Sequence, residues 1–157
     1  MDEVTVQTLL DRVQIEEAVL RYGRSADRRD WEALISCLTE EVDVDYTSLT
    51  GSEPERIAAR DLVLGRWAPT FESLDATQHF TGPCTVSVDG DLAAAVAYFQ
   101  AQHVLDGAAG GERWTLGGRY DFGLVCAGEG WRISSVTMTA MWDDGNRDLL
   151  AQAAARG

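Results

Sequence analysis

The chain has 157 residues, a length that suits one domain with a single hydrophobic core, and we expect residues 1–157 to form that domain. A formal net charge of −13 argues against nucleic acid and anionic membranes as partners, because binding to either needs a basic face. The three cysteines form no CxxC pair, and the acidic start "MDEVTVQTLLDR" lacks an apolar signal segment, so we expect a cytoplasmic protein without a disulfide framework or a zinc site.

The chain begins with a helical pattern. Apolar residues spaced by about 3.6 positions predict a helix over residues 5–26. Its apolar stripe consists of Ile15, Val19, Tyr22 and Ala26, and is widened by Leu9, Val13 and Leu20. Asp30 is a suitable N-cap for a second, short helix with the sequence "WEALISCL".

The period then changes to two. Val42, Val44 and Tyr46 alternate with polar residues, which predicts a half-buried strand with Tyr46 on its apolar face. In "GSEPERIAARDLVLGRWAPTF", residues 51–71, a cap-and-proline start and the apolar residues Ile57, Leu64 and Trp67 predict a third helix that ends before Pro69.

The second half reads as four long antiparallel strands. They are "ATQHFTGPCTVSVDGD", "LAAAVAYFQAQHVL", "RWTLGGRYDFGLVC" and "WRISSVTMTAMW", and the tail over residues 144–157 is either a short helix or frayed. Helices followed by a meandering sheet indicate an α+β fold, in which the helices pack on one face of a strongly curved, mainly antiparallel sheet. Such a sheet forms a cone-shaped barrel with an open mouth, and this concavity is the expected ligand site.

Three polar residues stand out as candidates for chemistry. His103 follows a run of small residues on one face of its strand, and it is either a core histidine or a group at the wide end of a cavity. His79 has either a structural or a functional role. Asp27 lies at the end of the first helix, where a negative charge is unfavourable, so it is either neutralised by Arg24 or Arg28 on the surface or placed there for a purpose.

At these positions the sequence resembles a known family. The stretch "AVLRYGRSADRRDWEALISCLTEEVDVDYTSLTG" followed by "ATQHFTG" is similar to the SnoaL-like branch of the nuclear transport factor 2-like superfamily. Within that branch it resembles the group that contains scytalone dehydratase, bile-acid 7α-dehydratase and a hexachlorocyclohexane dehydrochlorinase. The resemblance implies a cone-shaped α+β barrel over about residues 5–143 and, by analogy, a homodimer or homotrimer.

The resemblance also implies a site. It pairs Asp27 with His79, which is 52 residues later, and it adds Tyr46 and His103 at matching spacings. Tyr22, five residues before Asp27, matches a tyrosine of the bile-acid enzyme. Ala26 stands where scytalone dehydratase has a tyrosine, and this difference argues against the same substrate.

These residue types suit the removal of water next to a carbonyl group. Neutral His79 can act as the base, Asp27 can fix its tautomer, and Tyr46, together with Tyr22, can polarise the carbonyl. His103 can assist the leaving group or hold the substrate. The aromatic residues Trp114, Tyr120, Phe122 and Trp142 either line the cavity or belong to the core.

We therefore expect a cofactor-free lyase, a dehydratase acting on a small, largely apolar hydroxy-carbonyl compound. No metal or nucleotide is indicated, because the chain has no glycine-rich phosphate loop, and "DVDY" reads as a strand rather than a calcium loop. Two alternatives stay open. One is an isomerase or aldol-type polyketide cyclase on the same fold, and the other is a non-catalytic domain that binds a ligand or dimerises.

Overall fold

The first helix carries one buried stripe. The computed structural model describes residues 5–157, so the first four residues of the predicted domain and of the acidic N-terminal segment lie outside the described range. Helix α1 runs over Val6–Asp27, one residue later at each end than predicted, and the Thr5 side chain caps it. The predicted stripe of Ile15, Val19, Tyr22 and Ala26 is buried. The predicted widening is wrong, since the sheet covers only one side of α1 and leaves exposed Leu9, Val13 and Leu20.

The next two elements follow the prediction closely. Helix α2 spans Trp31–Ser36, and the Asp30 side chain accepts the N–H of Ala33 at 3.1 Å, as expected of an N-cap. Strand β1 spans Leu38–Asp45 and is longer than predicted. Tyr46 lies one residue beyond it, where the chain turns into the short helix α3, Thr47–Thr50. Tyr46 therefore stands at the end of the strand rather than within it.

The predicted third helix is wrong at both ends. Its first part is a strand that pairs antiparallel with β1, a long-range partner that local spacing cannot reveal. Pro69 does not end the helix, because it lies in the first turn of the last helical segment, where its missing N–H is not needed. In chain order the elements are β2 (Glu55–Ala58), α4 (Ala59–Leu62), a π-helical turn (Val63–Trp67) and α5 (Ala68–Glu72).

The second half contains five strands, one more than predicted. The first predicted strand is divided, since Gly82 and Pro83 interrupt it and proline has no N–H for a sheet ladder. Both halves still pair antiparallel with the same long strand, along different stretches of it. The strands are β3 (Ala76–Thr81), β4 (Thr85–Asp89), β5 (Leu92–Val104), β6 (Arg113–Cys126) and β7 (Trp131–Gly145).

The seven strands form one curved, unclosed sheet. Their order is β2-β1-β7-β6-β5-β3, with β4 also paired to β5, and within residues 5–157 only the β1–β7 pair is parallel. Between β6 and β7 the register shifts at Gly117/Gly118 and at Gly123/Leu124, and such bulges bend a sheet. Helix α1 packs against this sheet, and the tail forms helix α6, Leu149–Ala154, against α5. The predicted α+β cone is confirmed. Within residues 5–157, no helix is long and apolar enough to cross a membrane.

Candidate active site

The cone encloses a cavity of about 460 Å³. Its walls come from α1, from the inner face of the sheet, and from the segment over residues 46–72 that crosses the mouth. Four of the five predicted site residues, all except Asp27, line it directly, and most of the remaining wall is apolar. The aromatic rings that line the cavity, besides the predicted tyrosines and histidines, belong to Trp67, Phe71, Phe99, Trp114 and Tyr120.

Asp27 and His79 form a closely held pair behind the cavity wall. The Asp27 Oδ1 atom lies 2.7 Å from His79 Nδ1, and Asp27 Oδ2 accepts the backbone N–H of His79, also at 2.7 Å. The side chains are only 17% and 11% exposed, respectively. No ion pair joins Asp27 to Arg24 or Arg28 within the described residues, so the surface alternative does not describe its environment.

The close approach of α1 to β3 depends on a glycine. A Cβ atom on Gly23 would lie 2.8 Å from the Cβ of His79, closer than two carbon atoms can pack. Gly23 precedes Asp27 by about one helical turn, so its missing side chain allows the helix end to reach the strand. The local sequence thus determines the distance between carboxylate and imidazole.

The hydrogen bonds of Asp27 determine which ring nitrogen of His79 carries a hydrogen. Burial alone would raise the pKa of Asp27, but hydrogen bonds from His79 and Thr77 stabilise the carboxylate and hold its pKa below the usual value. Since an ionised carboxylate can only accept, the Nδ1 atom of His79 must carry the hydrogen. The lone pair is then on Nε2, and His79 lines the cavity.

His103 is the second imidazole of the cavity and is held in the same tautomer. It is 4% exposed, and its Nδ1 donates to the carbonyl oxygen of Trp114 at 3.3 Å. Burial, reinforced by the nearby His79, lowers the pKa of His103 to about 4, so the ring is neutral at pH 7. Its Nε2 is therefore an acceptor. The centroids of the two imidazoles are 5.9 Å apart.

Three tyrosines supply hydroxyl groups to the cavity. Tyr22 and Tyr46 are hydrogen-bonded to each other through their hydroxyls, although they come from α1 and from the end of β1. Burial raises the pKa of Tyr46 to about 12 and that of Tyr22 well above its usual value, so both are neutral donors. Tyr120 also lines the cavity, with its ring centroid 5.8 Å from that of Tyr22.

The sequence only partly identified the surroundings of the site. Trp114 and Tyr120 line the cavity, but Phe122 packs behind Tyr22, and Trp142 is half-exposed on the outer side of Gly117. Arg29 donates to the backbone carbonyl of Asp27 and Thr77 donates to its carboxylate, and neither was among the predicted site residues. A signal for Thr77 was present, because it lies two positions before His79 and so shares its strand face.

The charged groups near the cavity are mostly paired. Arg66 at the mouth makes two hydrogen bonds to Glu55. No cluster of three or more His, Cys, Asp or Glu side chains suited to a metal ion occurs in residues 5–157. Besides the Arg66–Glu55 pair, the cavity offers tyrosine hydroxyls, which can donate, and imidazole Nε2 atoms, which can accept, and these groups can hold a polar organic ligand by hydrogen bonds.

The fold and this site define a class of protein. A model of the SnoaL-like domain family matches residues 7–137, and the chain belongs to this family, within the nuclear transport factor 2-like superfamily. The family includes dehydratases, isomerases and cyclases.

Individual proteins are similar to this chain over different lengths. Kfla4162 from Kribbella flavida is 31% identical, with 91% of this chain and 98% of that one covered and a TM-score of 0.85. A protein from Novosphingobium aromaticivorans, described as NTF2-like with a cystatin-like fold, is 28% identical, with 96% and 97% covered and a TM-score of 0.67. The scytalone dehydratase-like protein claB of Passalora fulva is 27% identical over 74 residues, and the match spans slightly less than half of either chain, 46% of each.

Proposed function

We propose that this protein is a cofactor-independent dehydratase that removes water from a small, largely apolar hydroxy-carbonyl compound. The observation that carries the proposal is the Asp27–His79 pair, joined at 2.7 Å behind a cavity that His79 itself lines. The similarity to a scytalone dehydratase-like protein supports the same class of reaction.

The first step is removal of a proton from the carbon next to the carbonyl group. The Nε2 atom of His79 carries the lone pair that accepts this proton, and the electron pair of the C–H bond moves toward the carbonyl oxygen. The imidazole becomes an imidazolium, and the Asp27 carboxylate, only 17% exposed, stabilises that charge. General base catalysis of this kind contributes about 10²- to 10⁴-fold to the rate.

The negative charge that develops on the carbonyl oxygen needs donors. Tyr22 and Tyr46 supply them, because in their hydroxyl pair one hydrogen bridges the two oxygens and the other is free for a ligand. Both hydroxyls are buried and neutral, so they stabilise an enolate oxygen without adding a permanent charge.

The second step expels the hydroxyl group. The enolate re-forms the carbonyl, and the electron pair of its carbon–carbon double bond forms a new double bond between the α and β carbons. The C–O bond to the departing hydroxyl breaks with its electron pair on oxygen, and the His79 imidazolium returns its proton to that oxygen, which leaves as water. His103 does not supply the proton, since its only N–H is bonded to Trp114. As an acceptor it holds a substrate hydroxyl in place. Of its two expected roles, the geometry therefore favours holding the substrate over assisting the leaving group.

The polarity of the cavity supports a neutral substrate. Its wall is dominated by aromatic rings and aliphatic side chains, and Arg66 at the mouth is already paired with Glu55. A carboxylate or phosphate on the substrate would lose water without gaining an unpaired cation there. A cavity of about 460 Å³ accommodates a compound of one to three rings. Such an open, preformed cavity disfavours a purely structural role.

The experiment compares His79→Ala with Gln78→Ala on a panel of cyclic β-hydroxy ketones. Gln78 lies on the same strand but is exposed on its outer face, so it is a matched control. We expect His79→Ala to lose at least about 10²-fold in kcat while calorimetry shows that it still binds the unsaturated product. Full activity of His79→Ala would overturn the mechanism, and a product of unchanged mass would indicate an isomerase instead of a dehydratase.

A further inference from the structure

The residue that follows the end of α1 has an unusual backbone. Arg29 has a φ of 58°, in the left-handed region that non-glycine residues seldom adopt. This conformation turns its side chain back over the helix end, where Nη1 donates to the carbonyl oxygens of Ala26 at 2.9 Å and Asp27 at 3.3 Å. Nη1 thereby adds a donor to two carbonyl groups of the last helical turn, of which that of Ala26 also accepts the backbone N–H of Arg29 at 3.1 Å.

The same guanidinium also reaches β3. Nη1 of Arg29 donates to Thr77 Oγ1 at 2.7 Å, and Nη2 lies 3.4 Å from the carbonyl oxygen of Leu74. The Arg29 Cζ atom lies 5.9 Å from the ring centroid of Phe71, which lines the cavity beside both imidazoles. Arg29 therefore joins the helix end to the strand that carries His79.

The Thr77 hydroxyl connects Arg29 to Asp27, and its donor and acceptor roles are fixed. A guanidinium can only donate, so the Thr77 oxygen must accept from Arg29, and its single hydroxyl hydrogen is left to point elsewhere. That hydrogen is donated to Asp27 Oδ1 at 3.0 Å. Oδ1 is also the atom that accepts from His79 Nδ1, whereas Oδ2 accepts the backbone N–H of His79. The hydrogen bonds thus connect Arg29 to His79, since Arg29 donates to Thr77 and both Thr77 and His79 donate to Asp27.

We propose that Arg29 and Thr77 are positioning residues that hold the Asp27 carboxylate in the one orientation in which both of its oxygens face His79. Without the Thr77 hydroxyl, Oδ1 loses a donor that fixes its rotation, and the bond to Nδ1 lengthens. The consequence for catalysis rests on the proposed function, because only a base needs its imidazole held in this way. The orientation of the Asp27 carboxylate itself does not depend on the proposed function.

The experiment observes the Nδ1–H hydrogen of His79 by nuclear magnetic resonance in ¹⁵N-labelled protein without any ligand. The chain has only two histidines, so a His103→Gln variant assigns the two imidazole N–H resonances. A short hydrogen bond to a shielded carboxylate gives a sharp, strongly downfield signal. The test variants are Thr77→Val and Arg29→Met, and Thr77→Ser keeps the hydroxyl.

We expect Thr77→Val and Arg29→Met to move this signal upfield and to broaden it by exchange with water, whereas Thr77→Ser restores the wild-type signal. Thr81→Val and Arg28→Met are matched controls, since neither residue is a hydrogen-bond partner of the Asp27 carboxylate, and both should leave the signal unchanged. If Arg29→Met does not fold, as judged by its amide spectrum, Thr77→Val decides alone. A wild-type signal in Thr77→Val would overturn the proposal.

A kinetic measurement separates this inference from the proposed reaction. On a substrate that the wild-type protein turns over, Thr77→Val should lower kcat by about 10- to 100-fold with KM unchanged. This is the range seen when outer hydrogen-bond partners of metal-binding histidines are removed. Because the resonance needs no substrate, failure to find dehydration leaves the positioning result intact. Conversely, an unchanged resonance refutes the positioning role even where dehydration is observed.

Discussion

The contact between Gly23 and His79 allows a prediction whose size follows from the coordinates. An alanine Cβ at position 23 would lie 2.8 Å from the Cβ of His79. Carbon atoms pack at about 3.5–4.0 Å, so α1 and β3 would have to separate locally by roughly 0.7 Å or more. Both atoms belong to rigid parts of their elements, and neither can rotate away.

This separation affects stability and chemistry differently. Overpacking of this kind costs about 1–3 kcal/mol of unfolding free energy. If the shift falls on the Asp27–His79 bond, its 2.7 Å distance grows beyond 3.2 Å, the upper end of ordinary N–H···O bonds. A displacement of about 1 Å in a catalytic group costs on the order of 10²-fold in rate. We therefore expect Gly23→Ala to fold but to lose most of its activity.

The assay combines chemical denaturation with kcat measured on a substrate of the wild-type protein. Gly65→Ala is the matched control, because an added Cβ there meets nothing within 4 Å and the residue is exposed in a helical segment. We expect it to keep full activity and to change stability by less than about 1 kcal/mol. If Gly23→Ala is as stable and as active as Gly65→Ala, the close approach of helix and strand does not control the pair.

Two further predictions concern groups of the same site. The lowered pKa of Asp27 means that its ionised form stabilises the fold above the unfolded-state value of about 3.9, and that this stabilisation is lost as the pH falls through the folded-state pKa. Urea unfolding between about pH 5 and pH 3 should therefore show a steeper loss of stability in the wild type than in Asp27→Asn, and parallel curves would contradict the assignment. Tyr46→Phe removes a neutral donor while keeping the ring, so kcat should fall by about 10²- to 10³-fold. The unfolding free energy should fall by about 1 kcal/mol, because the Tyr22 hydroxyl loses its partner. Equal kcat values in the two proteins would remove Tyr46 from the oxyanion role.

The sequence predicted those parts of the fold that depend on local periodicity. The stripe of α1, the Asp30 cap and the long strands were each visible because their signals lie within a few neighbouring residues. Strand β2 was not visible in this way, because Ile57, Leu64 and Trp67 fit a helical spacing. Only pairing with β1 makes Ile57 part of a strand. Tertiary context overrides local preference in such segments.

The candidate site likewise combines residues that local signals identify with residues that only the tertiary structure brings together. Asp27 and His79 drew attention because an acid at a helix end and one of only two histidines are rare features of this chain. The tautomer of His103 depends on a carbonyl oxygen 11 residues away in sequence, and its neutral state depends on burial by the folded chain. Arg29 and Thr77 are 48 residues apart, and their contact depends on a left-handed backbone conformation at an ordinary arginine. No local pattern encodes such a contact.

The division of the cavity wall between two parts of the chain affects how this protein can diversify. The Asp27–His79 pair belongs to α1 and β3, which are fixed against each other by Gly23 and by three hydrogen bonds to one carboxylate. Much of the opposite wall belongs to residues 46–72, a succession of short helices, a π-helical turn and an edge strand. Apart from Tyr46 at its start, this segment holds none of the residues assigned to the proposed reaction. Mutations in the rest of it can reshape the space offered to a ligand while the spacing of Asp27 and His79 stays constant, so new substrate preferences can evolve without rebuilding the chemistry.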